Sequence, residues 1–240
     1  MKRKFLGMLT PSSNTTLEPI CTRMLDDLPE VTAHFGRFRV VEISLSQQAL
    51  GQFDLSQQLA AADLLADAKC DVICWNGTSA GWMGFEQDHK LCKAITERTG
   101  IPACSSVLAL EEVFKLTGVT RFGMVSPYID DIQSRINANF RKEGYECVAD
   151  QHAGIKVNFD FSEISGDQIT RMARKVAEAK PQAITVFCTN MKGAPLAVPL
   201  ERELGIPLYD TVSLAVWASL RVAGVDPTRV TGWGRLFDIR

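Results

Sequence analysis

The chain has 240 residues, of which 46% are hydrophobic and 22% charged, with a net charge of −2 and an isoelectric point near 6.0. This length allows one large or two small domains with substantial cores. The near-neutral balance, without any cluster of lysine and arginine, offers no electrostatic footprint for nucleic acid or for an anionic membrane. We therefore expect a small-molecule partner, no nucleic acid and no membrane.

Cysteine usage and the amino terminus favour a cytoplasmic location. The seven cysteines are an odd number, and they show no C-x-x-C motif and no cysteine–histidine set at zinc spacing. This pattern indicates reduced thiols and no metal site. The basic start over residues 1–5 meets Pro11 before any apolar run of signal-peptide length. No stretch approaches the ~20 apolar residues of a membrane span.

The first predicted strand, 4–10, ends in a polar loop with helix-start signals. Thr15 and Glu18 have the spacing of a capping box, so a helix should begin near them. A helix amino terminus leaves backbone N–H groups unpaired, which makes Ser12, Ser13 and Asn14 a candidate anion site. The alternative is that these three residues are only turn and cap residues.

Strands and helices then alternate along the whole chain. In the first half, strands are predicted over 31–42, 71–75 and 103–105, and helices over 54–68, 85–99 and 107–116. In the second half, strands are predicted over 121–126, 145–151, 183–187 and 207–209, and helices over 130–143 and 213–222. Between these two helices, one helix begins at a capping box at 165–168 and another ends at 204. This rhythm is typical of parallel sheets covered by helices.

No flexible linker separates the two runs of elements. We therefore expect an α/β fold with two similar Rossmann-like lobes, each with a parallel sheet, and the active site in the cleft between them. Residues 1–112 with 209–240 would form the first lobe, and 113–208 the second.

Polar residues follow three of the predicted strands where each strand ends. The carboxyl ends of parallel strands face a common crevice, so these residues should meet there. With the first loop included, the candidate site residues are Ser13, Asn14, Gly77, Thr78, Ser79, Tyr128, Cys188, Thr189 and Asn190.

Cys188 is the candidate catalytic residue. The other six cysteines fall within apolar helix or strand patterns and are assigned to the core: Cys21, Cys70, Cys74, Cys92, Cys104 and Cys147. A helix that follows Cys188 would lower the pKa of its thiol and suit it to proton transfer. The surrounding hydroxyls and amides suit a carboxylate that becomes an enediolate. No nucleotide-binding motif is present and the three histidines are dispersed, so no cofactor is expected.

Several short motifs make the chain resemble the aspartate/glutamate racemase superfamily, and within it arylmalonate decarboxylases and maleate cis-trans isomerases. The motifs are Pro11–Asn14 with Glu18-Pro19, Gly77-Thr78-Ser79, Tyr128–Asp131, Cys188-Thr189-Asn190 and Gly234–Asp238. They run in one order over essentially the whole chain.

The resemblance implies cofactor-independent decarboxylation of a substituted malonate. One carboxylate would be held by Thr78, Ser79, Tyr128 and the amide after Cys188, and the Cys188 thiol would protonate the enediolate. Two-cysteine relatives carry their first thiol at the position of Gly77, so only one thiol is expected here. Cys74 should point to the other face of its strand.

Two other functions remain open. The first is a maleate isomerase or racemase acting on a small dicarboxylate or amino acid, which Asn14 and the segment 188–190 favour. The second is a non-catalytic carboxylate-binding protein. The oligomeric state is not set by these features.

Overall fold

The computed structural model describes residues 3–240, so the first two residues of the basic start lie outside it. The strands are β1 (Lys4–Pro11), β2 (Val31–Phe38), β3 (Val72–Trp75), β4 (Ala103–Ser105), β5 (Arg121–Ser126), β6 (Glu146–His152), β7 (Ala183–Val186) and β8 (Leu208–Asp210). The helices are α1 (Leu17–Met24), α2 (Gln47–Gly51), α3 (Leu55–Asp67), α4 (Ala80–Met83), α5 (Glu86–Thr99), α6 (Ser106–Thr117), α7 (Asp130–Lys142), α8 (Gly166–Ala177), α9 (Ala197–Leu204) and α10 (Thr211–Val222).

The strands form two four-stranded sheets in which all pairings are parallel. Their orders are β2-β1-β3-β4 and β6-β5-β7-β8, the same arrangement twice. Every residue of β3 and β7 is buried, as expected for short central strands covered by helices on both faces. The predicted fold class, two α/β lobes with parallel sheets, is confirmed.

One predicted strand is shorter than its pattern suggested, and the remainder joins the lobes. β2 ends at Phe38, and the chain after it crosses toward the second sheet, where Glu42 and Val157 form an isolated antiparallel bridge. The Ile43 N–H donates to the carbonyl of Lys156 at 2.9 Å. The segment after Phe38 therefore bonds to the segment that follows β6 instead of continuing the strand.

The two predicted capping boxes have different outcomes. The Ser165 hydroxyl accepts a hydrogen bond from the Gln168 N–H, so Ser165 caps α8 as predicted. The box at α1 is wrong, because Thr16 is the N-cap residue and its side chain makes no capping bond. The Asn14 side-chain oxygen accepts instead from the N–H groups of Thr16 and Leu17, both at 2.9 Å. Asparagine is a strong capping residue, so the Asn14 side chain takes the capping role that the sequence pattern gave to Thr15.

The chain returns to the first lobe after β8. Helix α10 packs against α6, β3 and β4, and the Ser219 hydroxyl lies 4.0 Å from the Met8 sulfur in β1. The division of the chain into lobes stays a prediction, and its boundary between 208 and 209 would fall inside β8, which pairs with β7 in the second sheet.

The seven cysteines, all within the described residues, are free thiols. Three of the six assigned to the core are only partly buried, namely Cys92, Cys104 and Cys147. Over residues 3–240, no group of three or more His, Cys, Asp or Glu side chains comes together as a metal site. No helix in this part of the chain is both long and apolar enough to cross a membrane.

Candidate active site

A cavity of about 290 Å³, including its open mouth, lies at the carboxyl ends of the central strands of both sheets. Its lining residues are Pro11, Val40, Ile43, Phe53, Trp75, Gly77, Thr78, Ser79, Trp82, Tyr128, Asn158, Cys188 and Thr189. Six predicted site residues are among them: Gly77, Thr78, Ser79, Tyr128, Cys188 and Thr189. The other three, Ser13, Asn14 and Asn190, are not among the lining residues.

Two hydroxyls from different lobes meet in this cavity. Thr78 follows β3 and Tyr128 follows β5, and their side-chain oxygens lie 2.5 Å apart. Burial raises the pKa of Tyr128 well above its usual range, so the phenol stays protonated. A neutral O–H group that is held in place can donate to a negatively charged oxygen.

The Cys188 thiol is buried beside these hydroxyls. The Asn190 N–H donates to its sulfur at 3.4 Å. Burial raises the pKa of the Cys188 thiol to about 12, although the Asn190 N–H and the Tyr128 hydroxyl act in the opposite direction. A pKa raised this far means that Cys188 carries its proton at neutral pH.

The predicted lowering of the Cys188 pKa by a following helix is wrong. β7 ends at Val186, and the chain after Cys188 forms a turn followed by a short 3₁₀ helix at Ala194–Leu196, so α9 begins only at Ala197. The α-helix that follows Cys188 begins nine residues after it, and desolvation dominates the pKa of the thiol instead.

The predicted anion site in the first loop has its N–H groups occupied by the protein itself. The side-chain oxygen of Asn190 accepts from the N–H groups of Thr15 and Thr16, at 3.0 and 3.3 Å, and Asn14 caps the following turn. The Ser13 hydroxyl donates to the carbonyl of Val40 at 2.6 Å. The expectation of unpaired N–H groups at this terminus is therefore wrong.

Thr189 and Asn190 tie the two lobes together behind the cavity. The Thr189 hydroxyl donates to the carbonyl of Asn76 at 3.0 Å and accepts from the Asn14 amide at 3.2 Å. The Asn190 side-chain amide donates to the carbonyl of Asn158 at 2.6 Å. These side chains position Cys188 by fixing the turn that carries it.

Sequence reasoning missed the apolar wall of the cavity. Phe53 packs edge-on against both Trp75 and Trp82, with ring centroids 6.5 and 5.9 Å apart, and Trp82 packs against Tyr128 at 5.3 Å. Trp75 ends β3 immediately before the polar loop, a position that could have indicated it. Phe53 lies in a segment without any motif, so nothing in the sequence pointed to it.

Gly77 lies against the ring of Trp75. A Cβ atom at residue 77 would stand 2.0 Å from Cζ2 of the indole and 2.5 Å from Cε2, far inside van der Waals contact. Any side chain at residue 77 would therefore require the indole to move. Cys74 is not among the cavity-lining residues, and it pairs in register with Cys104 of β4.

Sequence comparisons match this chain to known proteins over nearly its whole length. The family model described as arylmalonate decarboxylase covers residues 27–237 of the chain. A maleate isomerase of Nocardia farcinica is 25% identical over 238 residues, which span 96% of this chain and 94% of that protein. The arylmalonate decarboxylase of Bordetella bronchiseptica is 23% identical over 236 residues, spanning 97% and 96%.

Solved structures share the fold over nearly the full length. The maleate cis-trans isomerase of Nocardia farcinica bound to TRIS superposes with a TM-score of 0.89 at 26% identity, covering 98% of this chain and 97% of that one. A crystal structure of arylmalonate decarboxylase superposes with a TM-score of 0.79 at 22% identity, covering 98% and 100%. The family match over most of the chain, together with this shared fold, shows that the protein is an enzyme of the arylmalonate decarboxylase family.

Proposed function

We propose that this enzyme is a cofactor-independent decarboxylase of a malonate that carries an apolar or aryl substituent. Cys188 is the proton donor, and the hydroxyls of Thr78, Ser79 and Tyr128 hold the carboxylate that remains. Gly77 and Thr189 form the adjoining wall, and Ser13, Asn14 and Asn190 support it from behind. The observation that carries the proposal is a buried, protonated thiol in a cavity that combines donor hydroxyls with an aromatic wall.

The reaction balances with these groups alone. The bond between the α-carbon and one carboxylate breaks, carbon dioxide leaves, and the electron pair passes into the remaining carboxylate as an enediolate. The Cys188 S–H then gives its proton to the α-carbon. The resulting thiolate receives a hydrogen bond from the Asn190 N–H until solvent returns a proton.

The wall of the cavity supports this substrate class. Val40, Ile43, Phe53, Trp75 and Trp82 place apolar surface beside the donor hydroxyls. Such a wall excludes water from a carboxylate that must lose its charge, and it accommodates an apolar substituent. Donor hydroxyls that stay neutral stabilise the enediolate as charge moves onto the retained carboxylate.

The test is to incubate the protein with phenylmalonate in deuterium oxide and to follow products by proton NMR. We expect phenylacetate with one deuterium at the α-carbon, and a loss of roughly 100- to 10,000-fold in turnover for Cys188→Ser. Cys104→Ser is the matched control, because this thiol lies on β4 and is not among the residues that line the cavity. Unchanged turnover in Cys188→Ser would rule out the proposed donor.

A second candidate is cis-trans isomerisation of maleate. It is favoured by the relative from Nocardia farcinica, a maleate isomerase 25% identical over nearly the whole chain. The same NMR assay with maleate separates the two activities. Formation of fumarate without any phenylacetate from phenylmalonate would favour the isomerase.

A further inference from the structure

The indole of Trp75 occupies the space that a side chain at residue 77 would take. The Cε2 atom, which is bonded to the ring nitrogen, lies 2.5 Å from where a Cβ of residue 77 would stand. Trp75 and Gly77 both line the cavity that contains Cys188. The six-membered ring of the indole therefore forms the cavity wall at Gly77.

The same N–H group has no hydrogen-bond partner within residues 3–240. Trp75 is only 1% exposed, so water does not compensate at an open surface. Buried indole N–H groups usually find an acceptor, because leaving one unpaired costs stability. Trp217 illustrates the usual case, since its Nε1–H donates to the carbonyl of Ile239 at 2.8 Å.

We propose that Trp75 is a specificity-determining residue of this enzyme, and that its Nε1–H donates a hydrogen bond to a carboxylate oxygen of the bound dicarboxylate. The proposal deepens the proposed function, because it concerns the second carboxylate in the same cavity. Trp75 thus supplies both the steric wall beside Gly77 and a hydrogen-bond donor for the ligand. Gly77 is required so that the indole can lie there.

The cavity divides its donors between the two ends of such a ligand. Thr78 and Tyr128 hold one carboxylate through hydroxyls that are already close together, and the indole reaches the other. A neutral donor suits a carboxylate that is lost as carbon dioxide, since a cationic side chain would stabilise its charge too strongly. Trp82 also lines the cavity with an unpartnered N–H, but the atoms nearest to a Cβ at residue 77 belong to Trp75.

The test uses NMR of protein labelled at the indole nitrogen of tryptophan. The chain has four tryptophans, so four indole N–H signals are expected, and Trp→Phe variants assign them. Titration with malonate should move the Trp75 proton downfield, as a new hydrogen bond requires. The Trp217 signal should stay in place, because that N–H already has a partner. Sodium chloride at equal ionic strength is the blank.

Calorimetry of malonate binding gives a second readout. Trp75→Phe keeps most of the ring and removes the donor, so affinity should fall at least roughly tenfold, the scale of a hydrogen bond to a charged group. Gly77→Ala should weaken binding and shift the Trp75 signal without ligand, because the new methyl group displaces the ring. Gly51→Ala is its control, since a Cβ there meets no atom within 4 Å.

The outcomes separate this proposal from the proposed function. A malonate-saturated protein in which the Trp75 signal does not move, or in which only the Trp82 signal moves, overturns the role of Trp75 even if phenylmalonate is decarboxylated. A downfield Trp75 signal with weakened binding in Trp75→Phe supports it even if phenylmalonate proves unreactive. Unaltered malonate affinity in Gly77→Ala would show that the indole does not form the wall.

Discussion

The thiol of Cys188 keeps its proton because its surroundings solvate a negative sulfur poorly. Burial removes water, and the hydrogen bonds that the sulfur receives, including the one from the Asn190 N–H, only partly replace it. A general acid must be protonated before the reaction, whereas a base that removes an α-proton must begin as thiolate. The same side chain would therefore produce opposite pH profiles in the two chemistries.

The pH profile of turnover is the first prediction at this scale. With the pKa of Cys188 raised to about 12, the protonated fraction stays near unity up to about pH 10, so decarboxylation should lose no activity through this group in that range. A reaction that needs the thiolate would instead speed up roughly tenfold per pH unit. The measurement is turnover at saturating phenylmalonate across that range, and a tenfold rise per unit would contradict the donor role.

The hydroxyl of Tyr128 supports the second prediction. Tyr128→Phe removes one donor from the pair with Thr78 and leaves the ring packed on Trp82. Turnover should fall by about 100- to 1,000-fold, while the Michaelis constant changes little, since the donor acts on charge that develops during the reaction. Tyr145→Phe is the control, because Tyr145 is not among the cavity-lining residues. Equal turnover in the two variants would leave Tyr128 without a chemical role.

At the scale of elements, the start of helix α10 contains an unusual cap. The Oδ1 atom of Asp210 accepts from the N–H groups of Val212 and Ser213, at 2.8 and 3.3 Å, while Oδ2 has no partner within residues 3–240. Burial raises the pKa of Asp210 to about 7. The folded protein therefore retains a proton that the unfolded chain has already released above about pH 4.

The sign of the resulting pH dependence follows from this difference. A carboxyl whose pKa is raised by folding stabilises the protein below its unfolded value, and this stability is lost as pH rises from about 4 to 7. Asp210→Asn keeps a capping oxygen and removes the titration. We expect it to raise the free energy of unfolding by roughly 1 to 3 kcal/mol at pH 8 and to change it little at pH 4.

Urea denaturation at the two pH values measures this prediction. Asp226→Asn is the matched control, because Asp226 caps a short helix with its Oδ1 atom but is exposed, and its pKa is lowered mainly by the Thr228 hydroxyl. Its substitution should not stabilise the protein at either pH. A destabilised Asp210→Asn at pH 8 would show that the buried charge is favourable.

At the scale of the whole molecule, one asparagine joins the two lobes. Asn190 accepts from the N–H groups of Thr15 and Thr16 and donates to the carbonyl of Asn158, and it is only 1% exposed. The same residue donates its backbone N–H to the Cys188 sulfur. Stability of the lobe interface and placement of the thiol therefore depend on the same turn.

Asn190→Ala should cost about 2 to 4 kcal/mol of unfolding free energy, because it leaves the Thr15 N–H and the buried Asn158 carbonyl unpaired. Asn139→Ala is the control, since Asn139 makes one partly buried bond between lobes, to the carbonyl of Gly81 at 3.0 Å. It should cost less than half as much. Denaturant unfolding measures both, and equal losses would show that Asn190 does not anchor the interface.

The order of elements, the parallel sheets and the position of the site at the strand ends could be predicted because they are recorded in local patterns. Apolar strands such as 183–186 and amphipathic helices such as α8 reveal their burial by periodicity, and Cys188 lies two residues after the end of its strand. Six of the nine candidate residues line the cavity for the same reason, because each lies two to four residues after the end of a central strand.

The sequence by itself determined the fold class, the lobed repeat and the position of Cys188 near a strand end, because each depends on neighbours along the chain. Only the tertiary structure decided the protonation state of Cys188, the engagement of Asn14 and Asn190 within the protein, and the contact between Gly77 and Trp75. These features depend on desolvation and on atoms brought together from distant segments. Burial and close approach are properties of the folded arrangement, and neither is encoded in the spacing of residues along one strand or helix.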